Sequence, residues 1–356
     1  MSISEGREVN VSDRWQRPRR DVGLQLLTEQ GDAAGFMNSP DELPGAGDLA
    51  QLVEEARDFT DAQRAESTWA VYRRDWAAFS AWCSERGLQD LPAAPEALAL
   101  YVAERARSDH PSTIQRRLAA VAAAHAARGL DSPTRSPTVA AVVRGVRRSL
   151  GVAPGRQVAP AVTEEVRRMV TTLAPDRLIS VRDRALLLVG FAGAFRRSEL
   201  VALDVEDLAE REEGLVATIR RSKTDQEAEG REVGLPYGSD PSTCPVRSVR
   251  SWLEVSAIRS GPLFRPITRH GRLGADRLRP ADVARVVKRG AERAGLDPSR
   301  YAGHSLRSGL ATSAAAAGAS ERSIMAQTGH RSVVTVRRYI RSGSLFQDNA
   351  AARVGL

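Results

Sequence analysis

Six side chains in the second half of the chain have the types and spacing to transfer a phosphodiester: Arg196, Lys223, His304, Arg307, His330 and Tyr339. They stand in FRRSEL (195–200), RSKTD (221–225), GHSLRSG (303–309) and TGHRSVVTVRRYI (328–340). Two guanidiniums, two imidazoles, an ammonium and a phenol suit one task, in which a tyrosine hydroxyl attacks phosphorus while cations hold the phosphate oxygens. A phenol ionises near pH 10, so it attacks at neutral pH only where cations or a base ease its ionisation. Planar guanidiniums aimed at the non-bridging oxygens stabilise a phosphorane more than the ground state. His304 and Arg307 lie one helical turn apart and can face the same phosphate.

Lys223 has a further claim. The chain holds only two lysines, Lys223 and Lys288, so the other 50 of its 52 basic residues are arginine. Arginine binds phosphate through a fork but keeps its proton, whereas lysine has one to give. A lysine on a mobile arm can therefore serve as the general acid that protonates a leaving oxygen.

His-x-x-Arg, then Gly-His, then a tyrosine nine residues beyond that histidine resembles the C-terminal signature of the tyrosine recombinases, or phage integrase family. The resemblance covers roughly residues 48–356. It is specific in the C-terminal half, while only general helical character supports it in the N-terminal half. It implies that Tyr339 attacks the scissile phosphorus and forms a 3′-phosphotyrosyl link, releasing a 5′-hydroxyl. Arg196, and not its neighbour Arg197, fits the first family arginine, because it precedes the acidic position, Glu199, by three residues. Glu199 either orients an arginine or histidine without touching substrate or is a plain salt-bridge partner. His304 either accepts the Tyr339 proton or hydrogen-bonds a phosphate oxygen, and both roles stay open. His330 falls where the family has His or Trp and is expected to donate to phosphate. Thr328 departs from the leucine common before Gly-His, a change expected to touch packing more than chemistry.

The sequence contains no D-x-D cluster, no G-x-x-x-x-G-K-[ST] loop and no Cys/His zinc spacing. The expected chemistry therefore uses no cofactor, neither metal nor ATP. The resemblance further implies double-stranded DNA with inverted-repeat core sites as the partner. It also implies a homo-tetramer on DNA, linked by exchange of the C-terminal tail (344–356), whose Leu345, Phe346, Ala350 and Val354 can form an apolar stripe. Three other readings stand beside this one: a type IB topoisomerase, a DNA-binding protein on this scaffold that does not cleave, and a generic Arg-rich nucleic-acid binder.

Composition agrees in outline. The 356 residues have room for about two domains. The formal charge of +8 favours a polyanionic partner. No apolar run approaches the ~20 residues of a membrane span, and no secretory leader opens the sequence, so no membrane association and a cytoplasmic protein are expected. Cys83 and Cys244 are too few for a disulfide framework, and Cys83 in FSAWCS reads as a buried helix residue.

The elements that must carry these residues read as mainly α. Residues 1–46 form a flexible tail, 47–150 an all-helical core-binding (SAM-like) domain, and 151–160 a Gly/Pro linker. Residues 161–356 form a mixed α/β, mostly helical catalytic domain with a small antiparallel sheet. In the first domain, Trp69, Tyr72, Trp76, Phe79 and Trp82 recur at helical spacing and read as core. Pro95 starts a helix through Ala106, Ser112 and Gln115 form a capping box, and a last helix spans roughly 137–149. Arg73, Arg74, Arg116, Arg117, Arg144, Arg147 and Arg148 are placed on outer helix faces as DNA contacts, a solvated basic face being the alternative. In the second domain, 182–195 is an apolar helix leading into Arg196. Residues 215–220 and 231–236 read as strands of a hairpin with Lys223 at its tip, and 304–318 as a helix.

Overall fold

The computed structural model describes residues 66–153, 158–220, 230–330, 332–334, 336, 337 and 339. The chain divides into two compact units, Met1–Gly155 and Arg156–Leu356, with the division inside the Gly/Pro stretch 151–160. The expected tail (1–46) and Lys223 lie outside the described residues.

The first unit is helical: α1 (Glu66–Ser84), α2 (Pro95–Arg105), α3 (Pro111–Ala126) and α4 (Pro137–Leu150). Proline opens three of them, where its missing N–H costs nothing and its fixed φ suits the first turn. Trp76, Phe79 and Trp82 are buried with Tyr101, Ile114, Leu118 and Val121, so these three of the expected stripe are core, while Trp69 and Tyr72 at its start are half-buried and lie outside that cluster. Cys83 is buried among them. The capping of α3 differs from the sequence expectation. His110 is its N-cap, and the ring Nδ1 accepts from the Ser112 N–H at 3.2 Å. Ser112 lies inside the first turn because Pro111 already fixes its start.

The second unit begins with α5 (Thr163–Thr171), followed by α6 (Leu178–Ala192) and the short α7 (Arg197–Ala202). Most of α6 is buried, as its continuous apolar sequence requires. Then come β1 (Leu208–Arg211), β2 (Gly214–Ile219) and β3 (Arg231–Pro236), antiparallel in the order β1-β2-β3. Four helices follow: α8 (Pro245–Ser256), α9 (Pro280–Arg293), α10 (Ser305–Ala316) and α11 (Glu321–Thr328). Residues 333, 334, 336, 337 and 339 are helical as well. β1 was not expected, since LAER has no apolar alternation to reveal a strand.

Two features hold α10 in place. The Ala161 N–H donates to the Ser305 carbonyl at 2.9 Å, and a Cβ on Gly309 would lie 1.8 Å from the Ala161 oxygen. Only glycine at 309 lets the helix approach that backbone. In β3, Val233 and Leu235 point into the core, and Arg231 shares their face at the strand start, opposite Ile219. No helix among the described residues is long and apolar enough to cross a membrane.

Candidate active site

Arg196, Glu199, His304, Arg307, His330 and Tyr339 come together in the second unit. Arg196 ends the turn after α6 and is the N-cap of α7; Glu199, 2% exposed, takes its backbone N–H at 2.9 Å and also pairs with its guanidinium. Glu199 thus anchors Arg196 by both backbone and side chain, as the i,i+3 spacing across a helix start allows. Arg307, in the first turn of α10, is 1% exposed. Its Nη1 donates to the Ala194 carbonyl at 2.8 Å, and its Nη2 is buried with no hydrogen-bond partner among the described residues. A buried donor left unmade is costly, and a phosphate oxygen would repay it.

His304 is the N-cap of α10, and its Nε2 lies 2.8 Å from the Tyr339 hydroxyl. That contact holds the phenol and the imidazole within range of proton transfer. The Tyr339 ring also lies 5.9 Å from the His330 ring, and Tyr339 packs with Val336 against Ala311, Ala315 and Ile324. The i,i+3 pair Val336 and Tyr339 thereby seats the phenol on α10 and α11. Arg337, two residues before it in sequence, turns away to pair with Glu321 at 3.1 Å. Arg338 and Arg341 lie outside the described residues.

Sequence reasoning missed Arg231. Its Nη2 lies 3.5 Å from Glu199, its Nη1 donates to the Gln327 carbonyl at 3.2 Å, and its Nε lies 2.8 Å from where a Cβ on Gly329 would sit. Gly329 has φ 63° and caps α11, so both its backbone and the arginine against it require glycine. One signal was available: a cation on the core-facing phase of a strand must find a partner.

Arg196 and Arg231 share the Glu199 carboxylate, Arg307 lies near enough to feel its charge, and the excess of cation shows in the ionisation of the neighbouring groups. Burial, and after it the nearby Arg196, push Arg307 down to about 10. Burial, then Arg307, Arg196, His304 and Arg231, push His330 down to about 4. His304 keeps an open surface, yet dense packing around its ring, followed by Arg307 and Arg196, holds it below the usual histidine value. Both imidazoles are therefore neutral near pH 7, and the site favours an anion. Among the described residues no group of three or more His, Cys, Asp or Glu side chains gathers to hold a metal ion.

The arginines of the first unit fall into two sets. Arg74, Arg144, Arg147 and Arg148 are exposed and have no ion pair among the described residues. On α4 the last three form one face, opposite the apolar residues Val139, Val142, Val143 and Val146. Arg73 is partly exposed and pairs with Glu66. Arg116 and Arg117 are not free cations on an outer face. Arg116 grips the buried Asp75 through Nε at 2.6 Å and Nη2 at 3.1 Å, and Arg117, its side chain 17% exposed, pairs with Asp109 at 2.8 Å. A carboxylate as buried as Asp75 needs such partners, and α3 supplies them.

The sequence profile of the phage integrase family matches residues 162–344. The chain is 38% identical over 307 residues to the "Integrase/recombinase xerD homolog" of Selenomonas ruminantium, covering 85% of this chain and 90% of that one. It is 27% identical over 306 residues to "Recombinase cre" of Escherichia phage P1, covering 80% and 87%. Its fold is similar to that of a lambda integrase fragment, solved as a dimer bound to a COC′ core site. That likeness has a TM-score of 0.56 at 15% identity and covers 83% of this chain and 95% of that one.

Proposed function

We propose, for a chain that belongs to the phage integrase family and is a tyrosine-type site-specific DNA recombinase, that Tyr339 is the nucleophile of strand cleavage. The observation that carries this reading is the 2.8 Å contact between His304 Nε2 and the Tyr339 hydroxyl, set beside the buried Arg307. Neutral His304 takes the phenolic proton as the Tyr339 oxygen attacks phosphorus. The bond from phosphorus to the 5′-oxygen breaks, and Lys223 gives that oxygen its proton. Charge that gathers on the non-bridging oxygens is met by Arg196 and by the unpaired Nη2 of Arg307, while Glu199 holds Arg196 in place. The phosphotyrosyl bond keeps the energy of the broken linkage, and a 5′-hydroxyl of another strand reverses the steps to rejoin it.

The DNA is a duplex with inverted-repeat core sites. Arg73, Arg74, Arg144, Arg147 and Arg148 contact its phosphates, while Arg116 and Arg117 act by holding Asp75 and Asp109. The active assembly is a homo-tetramer on DNA in which the tail (344–356) of one copy docks on the next. A cleft of about 430 Å³ in the second unit, lined by Val166, Phe191, Ala311, Ala314 and Ile324 among others, supports this as the receiving surface. Its chemistry suits Leu345 and Phe346 of the tail. The protein acts in the cytoplasm.

The test is trapping of covalent protein–DNA adducts with detergent from cells that express the wild type or Tyr339→Phe, with sequencing of the attached ends. Adducts at a few repeated half-sites in the wild type alone, with site binding intact in the variant, are expected. Adducts that persist in Tyr339→Phe would remove Tyr339 from its role, and adducts scattered without sequence would point to a topoisomerase.

A further inference from the structure

Thr328 was expected to touch packing more than chemistry. It is fully buried, and its hydroxyl meets two neighbours at once: the Ile324 carbonyl oxygen at 2.7 Å and His330 Nδ1 at 2.7 Å. A hydroxyl has one proton to give. The carbonyl can only accept, and two oxygens this close repel unless a proton lies between them. The Thr328 proton therefore points back along α11 to Ile324, as threonine hydroxyls near helix ends do. The oxygen then faces His330 with lone pairs only, so Nδ1 must bring the proton of the second contact.

We propose that Thr328 is a positioning residue that fixes His330 with its proton on Nδ1, leaving Nε2 as the nitrogen the reacting phosphate meets. The inference deepens the reading of His330 as a phosphate ligand and rests on that reading. It also changes what the ligand must do. In the free protein Nε2 carries no proton, because burial and the cationic and imidazole groups that face His330 (Arg307 and His304 of α10, Arg196 before α7 and Arg231 of β3) oppose a second charge there; the Tyr339 phenol, its ring 5.9 Å away, is the other titratable neighbour. A phosphate oxygen only accepts. His330 can hold one only after Nε2 takes a proton from solvent, which the arriving phosphate charge favours by offsetting those cations. Engagement of the scissile phosphate is thus coupled to uptake of one proton. With an apolar residue at 328, the neutral ring is free to carry its proton on Nε2 and donate without becoming charged.

The experiment is ¹⁵N NMR of histidine-labelled full-length protein without DNA at pH 7, with His330 assigned through His330→Gln. The wild type and Thr328→Ser are expected to show the Nδ1–H form, and Thr328→Val the Nε2–H form. An Nε2–H ring in the wild type overturns the proposal, and so does an unchanged ring in a folded Thr328→Val. Should the valine variant fail to fold, the wild type and serine variant still decide the case. Cleavage of a nicked suicide substrate against pH supplies the second readout. The wild-type rate falls as rising pH strips the second proton from His330 in the complex, and Thr328→Val loses that limb. Identical limbs in the two proteins would refute the coupling. The NMR result needs no cleavage, so it stands or falls apart from the role of Tyr339.

Discussion

Glu199→Gln removes a negative charge from the place where Arg196, Arg231 and Arg307 converge. Glu199 is 2% exposed, and it binds Arg196 through backbone and side chain and lies 3.5 Å from Arg231. Glutamine has nearly the same shape and can still accept the Arg196 N–H, but its amide must then set N–H donors against guanidinium donors. Removing one partner of a buried ion pair costs about 3–5 kcal/mol. The Arg196 and Arg231 side chains are 17% and 22% exposed, so water shares the screening and the low end applies, about 3 kcal/mol. In a unit of about 200 residues each kcal/mol moves Tm by about 2–4 °C, so melting should fall by about 6–12 °C. A bound phosphate restores an anion near the same cations, so cognate DNA should stabilise the variant more than the wild type. Scanning calorimetry of both full-length proteins, alone and with cognate DNA, reads both effects. A fall of under about 2 °C, or one of equal size with and without DNA, would refute Glu199 as the counter-charge of this cluster.

Two other substitutions probe how the site is built and used. Lys223→Arg should bind DNA normally yet cleave a suicide substrate far more slowly, because arginine holds its proton; near-normal cleavage would take the general-acid role from Lys223. Gly309→Ala forces a Cβ to 1.8 Å from the Ala161 oxygen, backbone against backbone, so α10 must move with His304 and Arg307 on it. Denaturant unfolding should show a loss of more than about 4 kcal/mol, and a change of under about 1 kcal/mol would mean that the helix relaxes freely.

The sequence determined the chemical groups and their local settings. Arg196 with Glu199 and His304 with Arg307 are short-range patterns, in which a helix start or a single turn brings the members together. Helix starts at Pro95 and Pro137 were legible for the same reason, since backbone sterics act over a few residues, whereas the start of α3 was read at Ser112 and lies at Pro111. Only the tertiary structure decided which charges meet across long separations. Arg231 stands 32 positions from Glu199 and joins it only because β3 passes beside α7 and the end of α11. Arg116 answers a carboxylate 41 residues away, so its place among seven arginines of similar sequence setting could not be read in advance. The proton on His330 is the finest case. Thr328 lies two residues before it in the sequence, but a hydroxyl can give or accept. Its direction was settled only when the fold of α11 placed the Ile324 carbonyl against it.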